Sequence, residues 1–154
     1  MDAVVADALR ESACETLENL AFTELVPEAE TVLPESGQRA CARIGLGPDG
    51  ELDVVLSRAL LSEIATILFN LEDEPDAGIL TDALLEIANI IAGRYLEKRH
   101  GDRSDFVMGL PSAREEVGDW SARPIRMSLA AGPGRILALG LIAREDGLDF
   151  MSES

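Results

Sequence analysis

Two carboxylates and an amide recur at helical spacing in Thr81-Asp-Ala-Leu-Leu-Glu-Ile-Ala-Asn-Ile-Ile-Ala-Gly93, where Asp82, Glu86 and Asn89 stand at i, i+4 and i+7, with Gly93 at i+11. On an α-helix these positions form one narrow stripe. Leu80, Leu84, Leu85, Ile87, Ile90 and Ile91 spread round most of the remaining cylinder and predict burial on several sides. Asparagine inside a helix costs up to about 0.7 kcal/mol relative to alanine, because its amide competes for the backbone, so Asn89 asks for a reason other than helix formation. A carboxylate and an amide one turn apart can dock a cation and hold a water, since a carboxamide accepts and donates hydrogen bonds at once. Spacing alone leaves a second reading open, in which the stripe is merely the solvated face of a core helix. Gly93 costs about 1 kcal/mol against alanine inside a helix, and either a partner's close approach or helix packing would explain it.

The pattern Asp82-x3-Glu86-x2-Asn89, embedded in Ile87-Ala-Asn-Ile-Ile-Ala-Gly93 and followed by Phe106-Val-Met-Gly-Leu-Pro111, resembles the signature of the CheC/CheX family of chemotaxis phosphatases. The likeness is greater to CheX and runs from Ala13 to about Ala143, with Pro111 one residue nearer Asn89 than the family spacing. The resemblance implies that this helix acts on a phosphorylated CheY-type receiver domain and hydrolyses its aspartyl phosphate. Carried over, Asn89 orients the attacking water, Glu86 docks the receiver's active-site lysine, and Asp82 and Gly93 are partner-binding positions. Gly109 and Pro111 are assigned no chemical role. The receiver contributes its own Mg2+, lysine and hydroxyl, so the chain is expected to have no cofactor and no metal of its own. Phosphoryl transfer passes through a loose transition state with little covalent work left for protein groups, so a positioned water supplies much of the gain, as with the glutamine of GTPases.

Composition narrows the alternatives. With 154 residues, 47% hydrophobic content and 7 prolines, the chain predicts a single domain, 1–154, burying roughly two thirds of its unfolded surface. Its 29 acidic and 13 basic residues give a formal net charge of −16, which argues against nucleic acid and membrane as partners. An acidic receiver would have to present its lysines at the contact. The first residues lack the basic start and apolar core of a signal peptide, and no stretch reaches about 18 uncharged apolar residues, so a soluble cytoplasmic chain is expected. Cys14 and Cys41 make no zinc pattern and read as small buried hydrophobes. His100, the only histidine, sits in Lys98-Arg-His-Gly101, a helix C-terminus capped by Gly101, which leaves a histidine-based hydrolase poorly supported. A metal-dependent hydrolase built on Glu72-Asp-Glu74 is weaker still, because that run has no spaced further ligand and reads as a solvated linker.

The frame that must hold the stripe reads as α+β. A first helix is expected from Ala3 to about Phe22, then strands at Thr31-Val-Leu33, Arg39 to Leu46 and Glu51 to Leu56, the last two joined by the turn Gly47-Pro-Asp-Gly50. Ser57 caps a second helix to about Asn70, and the stripe helix starts between Asp76 and Thr81 and runs to about Arg99. Strands at Phe106-Val-Met108, Pro124 to Ala130 and Arg135 to Ala143 follow, with Gly132-Pro-Gly134 turning the last pair. This predicts a pseudo-duplicated helix plus three-strand half, a six-stranded sheet and long helices packed on one face. Aligning the halves sets Ser12, Thr16 and Asn19 against Asp82, Glu86 and Asn89, a possible degenerate second site without its carboxylate, on a helix expected mainly to pack. The alternative function is a non-catalytic receiver-binding or dimeric module, with Arg135 to Ala143 as the edge that a homodimer would pair.

Overall fold

The structure, a computed structural model, describes residues 3–101 and 108–142. Helix α1 (Ala3–Ala21) leads to β1 (Val26–Pro27), β2 (Arg39–Gly45), β3 (Glu51–Ser57), α2 (Arg58–Leu68) and α3 (Ala77–His100), followed by β4 (Ser112–Arg114), β5 (Ile125–Gly132) and β6 (Arg135–Ile142). The strands form one antiparallel sheet in the order β1-β5-β6-β3-β2-β4. Exchanging the first three strands for the last three leaves this order unchanged. The first strand of each half crosses over to the second strand of the other, β1 onto β5 and β4 onto β2, while β3 and β6 pair at the centre with Val54 opposite Leu139. The expected duplication is therefore present as two interleaved halves, an α+β fold with a six-stranded sheet.

Period-two alternation sorts the strand residues to two faces. Ala42 and Ile44 of β2, Leu52, Val54 and Leu56 of β3, and Leu137, Leu139 and Leu141 of β6 join the helices in the main core. The opposite face is not left to solvent. Cys41, Val55 and Ala138 meet Val117, Leu33 and Trp120 there. Beside them Asp53, 5% exposed, accepts from Arg43 Nε at 2.8 Å and Arg123 Nε at 2.5 Å, and Arg123 donates onward to the Val117 carbonyl at 3.3 Å. This buried ionic knot fastens the stretch before β5 across the sheet, and burial pushes the Cys41 thiol up.

Several local expectations are corrected. Thr31-Val-Leu33 is not a strand: the first strand lies earlier, at Val26–Pro27, and Pro27 and Pro34 limit regular pairing on either side. The chain follows β5 by another route, with Ser128 Oγ accepting from the Val32 amide at 2.9 Å and donating to the Glu30 carbonyl at 3.2 Å. Of the expected strand Phe106-Val-Met108, the first two residues lie outside the described residues and Met108 is in no strand; β4 takes that place further on. Ser57 occupies the N-cap position of α2 without a capping bond, its hydroxyl accepting instead from the Ile136 amide at 3.0 Å. The two ends that the pattern placed at Phe22 and Asn70 are residues just past the helices, both in left-handed backbone at φ 53 and 52.

The expectation of a free edge at Arg135 to Ala143 is also overturned. β6 lies between β5 and β3 and is paired on both sides, so it has no row of open backbone groups for a second copy. The sheet's edges are the short β1, which contains Pro27, and β4, whose residues are exposed. Among the described residues no helix is long and apolar enough to cross a membrane.

Close packing on the second face yields a test. A Cβ at Gly140 would lie 2.6 Å from Trp120 Cζ3 and 2.9 Å from Cη2. Gly140→Ala should cost roughly 1–3 kcal/mol in chemical denaturation, and the same change in a Trp120→Ala background should cost much less. An equal cost in both backgrounds would contradict this packing.

Candidate functional site

Helix α3 begins where Asp76 Oδ1 accepts from the Ile79 amide at 2.9 Å, which explains a start at Ala77. It ends at Gly101, φ 72, whose amide donates to the Glu97 carbonyl at 2.6 Å. His100 does more than sit in the last turn, since its Nε2 lies 2.8 Å from Asp49 Oδ1 and ties α3 to the β2–β3 hairpin. Lys98 and Arg94 reach Glu15 of α1 at 2.9 and 3.3 Å, and the Lys98 hydrogen bond holds the Glu15 carboxyl below the usual range. These anchors fix the rotation of α3 about its own axis.

Burial completes that constraint. Ala83, Leu84, Ile87, Ala88, Ile91, Ala92, Tyr95 and Leu96 are all buried, on the arc facing the sheet and α1. At about 100° per residue, Asp82, Glu86 and Asn89 must then turn away from that arc. Asp82 and Glu86 are exposed, and Asn89 and Gly93 are half-buried. The three polar side chains line one open groove of about 550 Å³, with Leu85 of α3, Leu68 and Phe69 at the end of α2, and Leu110 and Pro111 ahead of β4. Among the described residues none hydrogen-bonds or ion-pairs with the side chains of Asp82, Glu86 or Asn89. Two carboxylates with no cation among the described residues, next to a carboxamide that none of those residues engages, can receive an ammonium group and position a water.

Gly93 is not among the residues that line the groove, and a Cβ there would meet nothing within 4 Å among the described residues. Packing among those residues therefore does not require glycine at that position. The paired stripe on α1 has been dismantled. Ser12 and Thr16 are buried, and their hydroxyls donate to the carbonyls of Ala8 and Ser12, each at 2.7 Å. Such back-bonding lets a hydroxyl residue enter an apolar interface without an orphan donor. Asn19 alone stays exposed, so the structure does not bring Ser12 and Asn19 together at the surface.

Glu72, Asp73 and Glu74 are exposed, and among the described residues no three histidine, cysteine, aspartate or glutamate side chains gather as a metal site. Cys41 is buried as expected of a small hydrophobe, whereas Cys14 is only half-buried. Sequence reasoning missed the apolar lining of the groove. The one available signal was the Gly-Leu-Pro run, which entered the sequence reading only as part of a family pattern and gave Leu110 no place at the stripe.

This six-stranded antiparallel sheet with long helices on one face is the fold of solved CheX and CheC-like chemotaxis proteins. Chemotaxis protein CheX from Vibrio vulnificus superimposes with a TM-score of 0.71 at 17% identity, covering 93% of this chain and 99% of that one. CheX from Desulfovibrio desulfuricans gives 0.68 at 11% identity, covering 90% and 98%. A CheX–CheY–BeF3–Mg2+ complex from Borrelia burgdorferi gives 0.65 at 17% identity, covering 90% and 97%. No protein-family model and no curated protein matches the chain.

Side chains that serve a visitor rather than the fold should be dispensable for stability. Glu86→Ala and Asn89→Ala should leave the unfolding free energy within about 0.5 kcal/mol or raise it slightly, because alanine is the better helix former. Gly93→Ala should stabilise by up to about 1 kcal/mol. A loss above about 1 kcal/mol in either groove variant, measured by urea denaturation, would show that the stripe holds the structure together.

Proposed function

We propose that this chain is a CheX-type member of the CheC/CheX family and hydrolyses the aspartyl phosphate of a phosphorylated CheY-type receiver domain. The observation that carries the reading is the outward Glu86 and Asn89, without a partner among the described residues, in a solvent-open groove on a fold shared with a protein solved bound to CheY, BeF3 and Mg2+. The receiver supplies the Mg2+ that neutralises charge on the phosphoryl group. Glu86 docks the receiver's lysine, fixing α3 over the phosphorylated aspartate. Asn89 accepts one hydrogen of a water through Oδ1 and donates through Nδ2 toward a phosphoryl oxygen, holding the water in line with the phosphorus–oxygen bond. The water oxygen bonds to phosphorus, the bond to the aspartyl oxygen breaks with its electron pair going to the carboxylate, and both protons of the water leave on inorganic phosphate as H2PO4−. Asp82 lies one turn back and acts in docking.

The gain is mostly positional. A loose transition state needs its nucleophile aligned more than it needs a base, which fits a site whose residues are a carboxylate occupied in docking and a neutral amide. The strong net charge of −16 gives no long-range attraction to an acidic receiver, so recognition has to rest on the local contact.

Asn89→Ala should lower the accelerated decay of a phosphorylated receiver by roughly a hundredfold while binding persists. Glu86→Ala should mainly weaken binding, and Glu86→Lys should weaken it further through repulsion of the receiver lysine. Unchanged acceleration in Asn89→Ala would refute the water-positioning role. Tight binding of a receiver charged with BeF3 and Mg2+, without any acceleration by the unaltered chain, would instead make it a non-catalytic receiver-binding module.

A further inference from the structure

We propose that Phe69 and Leu110 form an apolar collar on the two sides of the Glu86–Asn89 groove, and that the receiver surface it takes is a lysine ammonium ringed by apolar side chains. The inference rests on the receiver-binding reading above and extends it to residues outside the stripe. Leu110 is 92% exposed and Phe69 42% exposed, and both line the groove. Single exposed apolar residues are ordinary, but these two come from separate segments of the chain and converge on the same polar stripe.

Both are held in place by the backbone. Past α2 the chain reverses, with the Phe69 amide donating to the Ala65 carbonyl at 3.0 Å, the Leu71 amide to the Thr66 carbonyl at 3.0 Å, and Asn70 in left-handed backbone at φ 52. On the other side the Gly109 amide donates to the Gly45 carbonyl at 2.9 Å, and Pro111 restricts the residue that precedes it. A collar ordered in advance loses less entropy on binding than a mobile one.

Charge selects the occupant. Asp82 and Glu86 bring negative charge into the groove with no cation beside them among the described residues, so a visiting surface that presents a positive group at that point is favoured. Since the chain as a whole carries −16, wider electrostatics oppose an acidic receiver, and short-range apolar burial has to offset that repulsion. Covering the carboxylate–ammonium pair with Phe69 and Leu110 also excludes water from it, which strengthens the pair relative to an exposed one.

The test is the affinity of the full chain for a receiver domain charged with BeF3 and Mg2+, together with steady-state dephosphorylation of the phosphorylated receiver. Phe69→Ser and Leu110→Ser should each raise Kd by about tenfold or more, the size expected for losing one large buried side chain, and the loss should fall on KM far more than on kcat. Ile67→Ser is the control, being 45% exposed on α2 but no part of the groove lining, and it should bind like the unaltered chain. Collar variants that bind within twofold of the unaltered chain would overturn the collar and leave the receiver reading standing. Failure of the unaltered chain to bind any charged receiver would overturn both, a signature distinct from the first.

Discussion

Everything at the groove depends on how α3 is clamped. Its small and aliphatic residues, from Ala83 through Leu96, are buried against the sheet and α1, and its ends are pinned by Asp76, by His100 on Asp49 and by Lys98 on Glu15. A helix so held has no rotational freedom, and the remaining arc must carry whatever is not core. Asp82, Glu86 and Asn89 occupy that arc with no partner among the described residues. Exposure of the stripe is thus a consequence of burial elsewhere on the same helix.

The interleaved sheet explains why two related helices need not do the same thing. Because β1 pairs with β5 and β4 with β2, each half is completed by the other, and the pairing of β3 with β6 makes the centre common to both. The frame therefore remains symmetric while the helix surfaces diverge. On α3 the stripe faces outward into a groove. On α1 the matching positions are Ser12 and Thr16, turned inward and satisfied by their own helix. The chain lacks a carboxylate on that second stripe and also buries the positions where it would stand.

Much of this was legible in residue order. Helical periodicity placed α1 and α3, β-strand alternation placed β2, β3, β5 and β6, and the two Gly-Pro turns marked their hairpins, because each signal is local and strong. The first strand of each half was not legible. Val26–Pro27 and Ser112–Arg114 are too short to show a period, and they become strands only because a partner from the other half lies beside them. The knot of Asp53, Arg43 and Arg123 was hidden in its third member: Arg43 faces Asp53 across one hairpin, but Arg123 joins them from a distant part of the chain, and its charge looks like ordinary surface. At the site, spacing put Glu86 and Asn89 on one stripe, whereas Phe69 and Leu110 reach it through tertiary packing that no sequence period reports.

The most direct measurement is a crystal structure of this chain with a receiver domain charged with Mg2+ and BeF3. The account predicts α3 laid across the receiver's active site, with the Glu86 carboxylate on the receiver lysine and the Asn89 amide within hydrogen-bond distance, about 3 Å, of a water in line with beryllium. A complex in which the receiver docks elsewhere and the groove still faces solvent would contradict it.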